Sequence, residues 1–213
     1  MLMRLFRCQG SYHILCLFLK QYPYLFLRDV YLIVERTHRC DGFYFFCIMP
    51  KYKIDAQDRI LHNGVWLYRI VATRNIHRHH QDPIPFGEKG GYVEHANNLS
   101  HRGECWIYDN AKVFGNARVT GEARIYDYAE ISGNAWVRGN ATVWNLATVD
   151  GDALVAGGVS IKGHAHISEK AVIDGGHGVV VSGHAHIHGN TRIGGNCHVN
   201  LGGNTDMSEG TLE

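Results

Sequence analysis

The sequence indicates an all-β protein: a single-stranded parallel β-helix of about six 18-residue coils, preceded by an N-terminal β-hairpin cap. The first observation behind this prediction is an isoleucine or valine at every sixth position from Ile107 to Ile173. The second is a small residue, mostly alanine, two positions before each member of that series. The third is that 21 of the 25 glycines lie from Gly90 onward, whereas no proline follows Pro85. Such a stretch is typical of many short strands joined by tight turns.

Each six-residue unit is predicted to form one short strand and one turn. Residues two apart in an extended chain face the same side, so each unit directs one β-branched and one small side chain inward. Gly-Asn and Gly-Asp pairs between the units tolerate the left-handed backbone of a tight turn. Three units complete a triangular coil in which like side chains stack, and its narrow interior has no room for two large side chains per unit.

The β-branched series also assigns residues to coils. Two steps of eight residues, from Leu99 to Ile107 and from Ile173 to Val181, fall at the same corner of the triangle, where we expect two-residue bulges. The predicted coils are 93/99/107, 113/119/125, 131/137/143, 149/155/161, 167/173/181 and 187/193/199, with Val199 as the last inward residue of the sixth and Met207 beginning a seventh.

The segment before the repeats has the pattern of a hairpin. Residues 51–54 and 65–72 alternate like strands, and Asn63-Gly64 is a strong signal for a tight hairpin turn. Solenoids need a cap on an end strand whose edge is otherwise unpaired. We therefore divide the chain into a hairpin cap at 49–89, a β-helix at 90–207 and a tail at 208–213.

Residues 1–48 form a non-repetitive hydrophobic extension. Their longest charge-free run, residues 8–19, is too short for a membrane helix, and no small-residue cleavage site of a signal peptide follows it. We interpret Met49 as the true start of translation, and the alternative is a genuine extension of this lineage. The mass of the natively expressed protein decides between the two.

Charge and cysteine content exclude several classes of partner. A formal net charge of +1 gives no electrostatic signature of a nucleic-acid or membrane-surface protein. The six cysteines contain no C-x-x-C pair, and Cys105 and Cys197 occupy the small inward position of their units. We therefore expect free thiols and a cytoplasmic location.

Three segments lead into the repeats: residues 90–94 (GGYVE), 98–100 (NLS) and 103–109 (GECWIYD). Together with the six-residue units, they resemble the hexapeptide-repeat, trimeric LpxA-like superfamily, and within it the uncharacterised YdcK-like bacterial and prophage proteins. The resemblance covers residues 49–207. It implies a left-handed β-helix and a homo-oligomer, a trimer as in the acyltransferases of this fold, and it carries no established activity.

The histidines are the sharpest chemical feature. The sequence Gly-His-Ala-His-Ile occurs twice, so we expect His164 to stack on His184 and His166 on His186 one coil above, with Asn204 and Asp206 continuing these columns if a further coil forms. Imidazoles at about the strand spacing of 4.8 Å can chelate a metal ion, or one can act as general base. These four histidines are therefore the candidates for both catalysis and metal binding, although a surface ladder without chemistry is the favoured interpretation.

A second column is aromatic. Tyr108, Tyr126 and Trp144 recur at 18-residue spacing, one position after the inward β-branched residue. Such a column is a candidate binding or interface surface. An interface or packing role is favoured over a ligand platform.

The preferred functional prediction is a non-catalytic structural or binding module with no cofactor and an unknown ligand. The alternative is an O- or N-acyltransferase that uses acetyl-CoA or another acyl-CoA and a histidine base. Hexapeptide transferases usually add a protruding loop and a C-terminal helix that build the CoA site. Here the interruptions are two residues long, and only six residues follow Met207.

Overall fold

The computed structural model describes residues 3–4, 31–36, 43–48, 50–78, 81–176, 178–195 and 198–212. Within these residues the protein is all-β, apart from one 3-10 turn at Ala96–Asn98. Strands β1 to β8 span, in order, Met3–Arg4, Tyr31–Arg36, Phe43–Ile48, Tyr52–His62, Val65–Ala72, Ile76–Arg78, Gln81–Ile84 and Lys89–Val93.

The strands that follow are short and regularly spaced, as the six-residue repeat predicts. Strands β9 to β26 span, in order, Trp106–Ile107, Lys112–Val113, Arg118–Val119, Arg124–Ile125, Glu130–Ile131, Trp136–Val137, Thr142–Val143, Thr148–Val149, Leu154–Gly157, Ser160–Ile161, His166–Ile167, Val172–Gly175, Val179–Val181, His186–Ile187, Arg192–Gly195, Val199–Leu201, Asp206–Met207 and Thr211–Leu212.

These strands form a parallel β-solenoid of about seven turns with three long sheets. Sheet 1 has the order β25-β22-β19-β16-β13-β10-β8-β5-β4, sheet 2 the order β11-β14-β17-β20-β23-β26, and sheet 3 the order β24-β21-β18-β15-β12-β9. Two small antiparallel sheets lie outside the solenoid ladders, with the orders β1-β3-β2 and β6-β7.

The inward stacks are built as the sequence predicts. Parallel pairing places Val113 beside Ile131, and Ile131 beside Val149, so like side chains meet one coil apart. These residues and the intervening alanines, such as Ala135, are fully buried. The predicted seventh coil is present, because β25 pairs with β22 and β26 pairs with β23.

The prediction that Val199 is the last inward residue of the sixth coil is wrong. Val181 pairs with Leu201, and Val199 pairs with Val179, two positions earlier. The physical reason is an additional eight-residue step between Ile193 and Leu201, which shifts the inward position by two residues. Cys197, predicted to fill a small inward position, lies outside the described residues.

All the long steps occur at one corner, the connection from sheet 2 to sheet 3. Leu99, which bridges to Val119 at the start of sheet 2, precedes β9 by an eight-residue step. The steps from β20 to β21 and from β23 to β24 repeat this arrangement. The connection from sheet 3 to sheet 1 keeps a six-residue step from Ile107 to Met207, whereas the connection from sheet 1 to sheet 2 shortens to five residues in the last coil, from Met207 to Leu212.

The N-terminal hairpin is also present, and it adds two strands to the end of sheet 1. Strands β4 and β5 pair antiparallel around Asn63 and Gly64, whose φ angles of 50° and 80° fit the tight turn that this dipeptide favours. Strand β5 then pairs antiparallel with β8, which pairs in parallel with β10. The hairpin thus covers the strand edge of β8, as expected of a cap.

The domain boundaries drawn from the sequence remain predictions. The region 1–48 contains the three strands of the β1-β3-β2 sheet, which are paired with one another. Met49, proposed as the start of translation, lies outside the described residues.

Candidate functional site

The four predicted histidines form two columns on neighbouring positions of the solenoid. His164 and His184 stack with ring centroids 4.8 Å apart and planes 10° apart, and both side chains are exposed. They lie in the turn that leads into sheet 1, and the next residue in their column is Asn204. The predicted stacking is therefore correct, and this column continues with an amide.

The second column lies on the outer face of sheet 1. His166 on β19 and His186 on β22 are direct partners in the parallel ladder, and their rings stack at 4.7 Å with planes 5° apart. His166 is held through Nε2, which lies 2.9 Å from Oδ2 of Asp150. The next strand, β25, places Asp206 beside His186 in the same register.

Sequence reasoning missed His188, which joins this column from the following turn. Its ring stacks on that of His186 at 4.2 Å and 16°, and its Nε2 lies 3.1 Å from Oδ1 of Asp206. The same carboxylate oxygen lies 3.6 Å from Nδ1 of His186. One ligand atom from each of these three residues lies within 4.8 Å of the others. The signal in the sequence was the third histidine of the His184-Ala-His-Ile-His188 run.

The opposite nitrogens of these two imidazoles face other polar groups. Nε2 of His186 is hydrogen-bonded to Oγ of the buried Ser168 at 3.1 Å. Nδ1 of His188 lies 3.9 Å from Oε1 of Glu169, whose other oxygen accepts from the backbone N–H of Gly189 at 3.0 Å. The ring of His186 is therefore hydrogen-bonded on one side, the ring of His188 faces Glu169, and both rings turn their other nitrogen towards Asp206.

The surroundings of His186 favour its neutral form. Burial, followed by the neighbouring imidazoles of His166 and His188, lowers the pKa of His186 below its ordinary value. The carboxylates of Asp206 and Asp150 act in the opposite direction. A neutral imidazole is the form that binds metal ions or accepts a proton.

The predicted aromatic column follows the end of the sheet 3 strands. Tyr108 and Tyr126 stack with centroids 4.3 Å apart and planes 13° apart. Trp144 lies one coil further, donates from Nε1 to Oγ of Ser160 at 3.3 Å, and is 36% exposed. The ammonium of Lys162 lies 5.4 Å from the Trp144 ring centroid.

A second apolar column, not recognised in the sequence, runs beside the first. Tyr128 and Leu146 are 18 residues apart on the far side of the same turn and are 56% and 49% exposed. We call Tyr108, Tyr126, Tyr128, Trp144 and Leu146 together the aromatic edge. The signal in the sequence was that these two turn positions are apolar, whereas the equivalent positions one coil before and one coil after are Asn110 and His164.

A ladder of turn residues holds the aromatic edge in place. Asp109, Asp127 and Asn145 adopt left-handed backbone conformations between the two apolar columns. Oδ2 of Asp109 accepts from the backbone N–H of Asp127 at 3.2 Å, and Oδ2 of Asp127 accepts from that of Asn145 at 2.9 Å. Asn145 continues the ladder to the N–H of Gly163. The turns of the aromatic edge are therefore held to one another, coil by coil, by these side-chain hydrogen bonds.

An open depression of about 470 Å³ lies elsewhere, beside the 3-10 turn of the first coil. It is lined by Ala96, Asn97, Leu99, Ser100, His101, Arg118 and Thr120. None of the four histidines predicted from the sequence lines it.

Comparison with known proteins adds no name to this geometry. No protein-family model matches the chain. No curated protein sequence matches it significantly. In the part of the chain that the structure describes, no helix has the length and apolar character needed to cross a membrane.

Proposed function

We propose that this chain is a non-catalytic assembly module, a rigid β-solenoid that associates with further copies of itself through the aromatic edge. The observation that carries the proposal is the exposed row of Tyr128, Trp144 and Leu146 along one edge of the solenoid. Tyrosine and tryptophan are enriched in the cores of protein interfaces, and large exposed apolar patches mark interaction sites.

The rigidity of the edge favours its use as a contact surface. Side chains of Asp109, Asp127 and Asn145 bond to the backbone of the next coil, so the turns that carry the apolar residues are ordered before any partner binds. Binding to an ordered surface loses less conformational entropy than binding to a mobile loop. An edge of this kind can therefore reach useful affinity with a modest contact area.

A second copy of the chain is the partner that matches this edge best. The apolar side chains repeat at the strand spacing of about 4.8 Å, because each coil adds one rung. Another copy offers the same row with the same spacing, so side chains from the two rows can interdigitate at every rung. The resemblance of the repeats to the hexapeptide-repeat superfamily, and to the YdcK-like proteins within it, supports a left-handed coil and a trimer as the assembly.

Light scattering coupled to size-exclusion chromatography tests this proposal. We expect an oligomer for the unmodified protein, and a monomer after Leu146→Glu combined with Tyr128→Glu, which places charges in the contact. Trp136→Glu is the matched control, because Trp136 is an exposed aromatic residue on β14 of a different sheet. A monomeric unmodified protein, or an oligomer that survives the double substitution, would refute self-association through this edge.

The alternative function is acyl transfer from acetyl-CoA or another acyl-CoA, with His164, His166, His184 or His186 as base. A thermal-shift measurement with acetyl-CoA and with desulfo-CoA separates the two functions. We expect neither compound to change the unfolding temperature, and we expect the His164→Ala/His184→Ala variant to fold like the unmodified protein. A clear stabilisation by a CoA compound would overturn the non-catalytic proposal.

A further inference from the structure

We propose that His186, His188 and Asp206 bind one divalent transition-metal ion of the Zn²⁺ type on the outer face of sheet 1. Two imidazoles and one carboxylate form a ligand set that suits zinc and its neighbours in the first transition series. The three residues lie in a single chain, on adjacent coils, and none of them belongs to the aromatic edge. The site is therefore independent of the proposed self-association.

Two of the three distances between the ligand atoms fit one ion, and all three lie within 4.8 Å. Zinc bonds of about 2.1 Å in tetrahedral geometry place neighbouring ligand atoms about 3.4 Å apart. Oδ1 of Asp206 lies 3.1 Å from Nε2 of His188 and 3.6 Å from Nδ1 of His186, on either side of that value. The ladder pairing of β22 with β25 places His186 beside Asp206, and the backbone N–H of His188 in the following turn donates to the carbonyl oxygen of Met207 at 2.8 Å.

The contacts on the far side of each ring match those of metal-binding histidines. Such histidines almost always bond through their second nitrogen to a carboxylate, carbonyl or other polar group, which fixes the tautomer and the ring orientation. Ser168 occupies this place for His186, and Glu169 lies on the corresponding side of His188. Nδ1 of His186 and Nε2 of His188 are thereby left facing the same carboxylate oxygen.

Glu169 itself has an unusual backbone for this position. Its φ angle is 56°, whereas the equivalent turn positions one coil below and one coil above are Gly151 and Gly189. A side chain in the left-handed region costs conformational energy that glycine avoids. Here that side chain places a carboxylate beside His188 and on the N–H of Gly189.

Ion binding requires one local change. The rings of His186 and His188 lie almost parallel, 16° apart, so both must rotate until their lone pairs converge on the ion. Both side chains are partly exposed at the surface, which leaves room for this rotation. The three carboxylates of Asp150, Glu169 and Asp206 on this face offset the positive charge that the ion introduces.

A zinc titration of the untagged protein, freed of metal by dialysis against EDTA, tests the site. Competition with a chromophoric chelator measures affinity, and native mass spectrometry measures stoichiometry. We expect one Zn²⁺ per chain, and at least tenfold weaker binding in His188→Ala and in Asp206→Asn. Glu169→Gln is expected to weaken binding about tenfold, the lower end for a group that orients a ligand. Mg²⁺ is not expected to compete, because it prefers oxygen ligands.

The His164→Ala/His184→Ala variant is the matched control, since it removes an equally stacked histidine pair whose column continues with an amide. We expect this variant to bind Zn²⁺ like the unmodified protein. Absence of stoichiometric binding, or equal affinity in His188→Ala, would overturn the proposal, as would loss of binding in the control. Thermal unfolding without metal checks that each variant is folded. The Leu146→Glu/Tyr128→Glu variant is titrated with Zn²⁺ as well. We expect it to bind the ion like the unmodified protein, whether or not the protein self-associates.

Discussion

The ammonium of Lys51 donates a 2.7 Å hydrogen bond to the carbonyl oxygen of Cys105 inside the N-terminal end of the solenoid. The same Nζ lies 3.4 Å from the carbonyl oxygen of Gly103 and 3.2 Å from Sγ of Cys105. Burial lowers the pKa of Lys51 and raises the pKa of the Cys105 thiol. This contact joins the residue before the hairpin to the first coil.

We predict that Lys51→Met destabilises the protein by about 1–3 kcal/mol. The substitution leaves the carbonyl oxygens of Gly103 and Cys105 without this donor, and a buried acceptor that loses its partner carries a cost of that size. Lys53→Met is the control, because Lys53 is exposed on β4, two residues after Lys51, and its loss should change stability by less than about 0.5 kcal/mol. Urea unfolding of both variants measures the difference, and equal stabilities would contradict the role of Lys51.

We predict that stability falls as the pH drops below about 6.5, partly through His101. Burial, then the charges of Lys51 and Arg74, lowers the pKa of His101 from 6.5. The unfolded chain therefore takes up a proton at this group at a higher pH than the folded chain, so acidification favours unfolding. In the folded chain, Nδ1 of His101 also accepts a hydrogen bond from the backbone N–H of Lys51 at 3.2 Å, and protonation of that nitrogen would break this bond.

His101→Phe tests this pH dependence. Phenylalanine can keep the ring stack that His101 makes with Tyr52, where the centroids lie 4.4 Å apart, but it cannot be protonated. Urea midpoints between pH 7 and pH 5 should fall less steeply in this variant than in the unmodified protein. An unchanged slope would assign the acid sensitivity to other groups.

We predict that Gly157→Ala is more destabilising than Gly203→Ala. Both glycines have left-handed backbones, with φ angles of 77° and 64°, so alanine costs about 1–2 kcal/mol at either position. At Gly157 the new methyl group would lie 1.9 Å from the carbonyl oxygen of Gly175 on the next coil, whereas at Gly203 it meets nothing within 4 Å. Chemical unfolding measures both, and a larger loss at Gly203 would contradict the close approach of the coils.

We predict that Ala135→Leu destabilises the protein by about 1–3 kcal/mol, because extra methylene groups must enter a filled core. Ala135 has no exposed surface. Arg118→Leu is the control, since Arg118 faces outward on the neighbouring strand of the same sheet. If the two variants lose similar stability, the narrow interior is not what excludes large residues.

The inward stacks were predictable because their register depends on local spacing alone. Ile131 and Val149 follow from counting six residues at a time, and the parallel ladder confirms that they meet. The same counting predicted the stacked histidine pairs and the coil that begins at Met207. Each coil contributes one residue to each column, so the period of the repeat is enough to tell which residues are neighbours.

The error at Val199 shows where counting fails. Val199 satisfied the six-residue rule, but the chain adds two residues at the corner after Ile193, so Leu201 takes the inward position. Double glycines, Gly175-Gly176 and Gly194-Gly195, follow the inward isoleucine in both of the later long steps. The second double glycine therefore indicated another eight-residue step. The prediction instead followed the β-branched residue at Val199, which fits a six-residue step.

The candidate site was only partly predictable, because its ligands face one another across coils and turns. Asp206 was placed in the right column, yet His188 enters the cluster from a turn, where no inward or outward alternation applies. The orientation of each ring depends on Ser168 and Glu169, whose contacts only the folded chain reveals. Tyr128 and Leu146 were missed for the same reason, since turn positions carry no periodic constraint on residue type.

The ladder hydrogen bonds between successive coils run along the axis of the solenoid, because its strands lie across that axis. A tensile force applied along the axis therefore loads the interfaces between coils one after another, like links in series. Each interface bears the full load, and the weakest one separates first while the coils on either side keep their side-chain stacks. The molecule should thus yield mechanically by parting between two coils, and a pull across the axis would meet the covalent backbone of each coil instead.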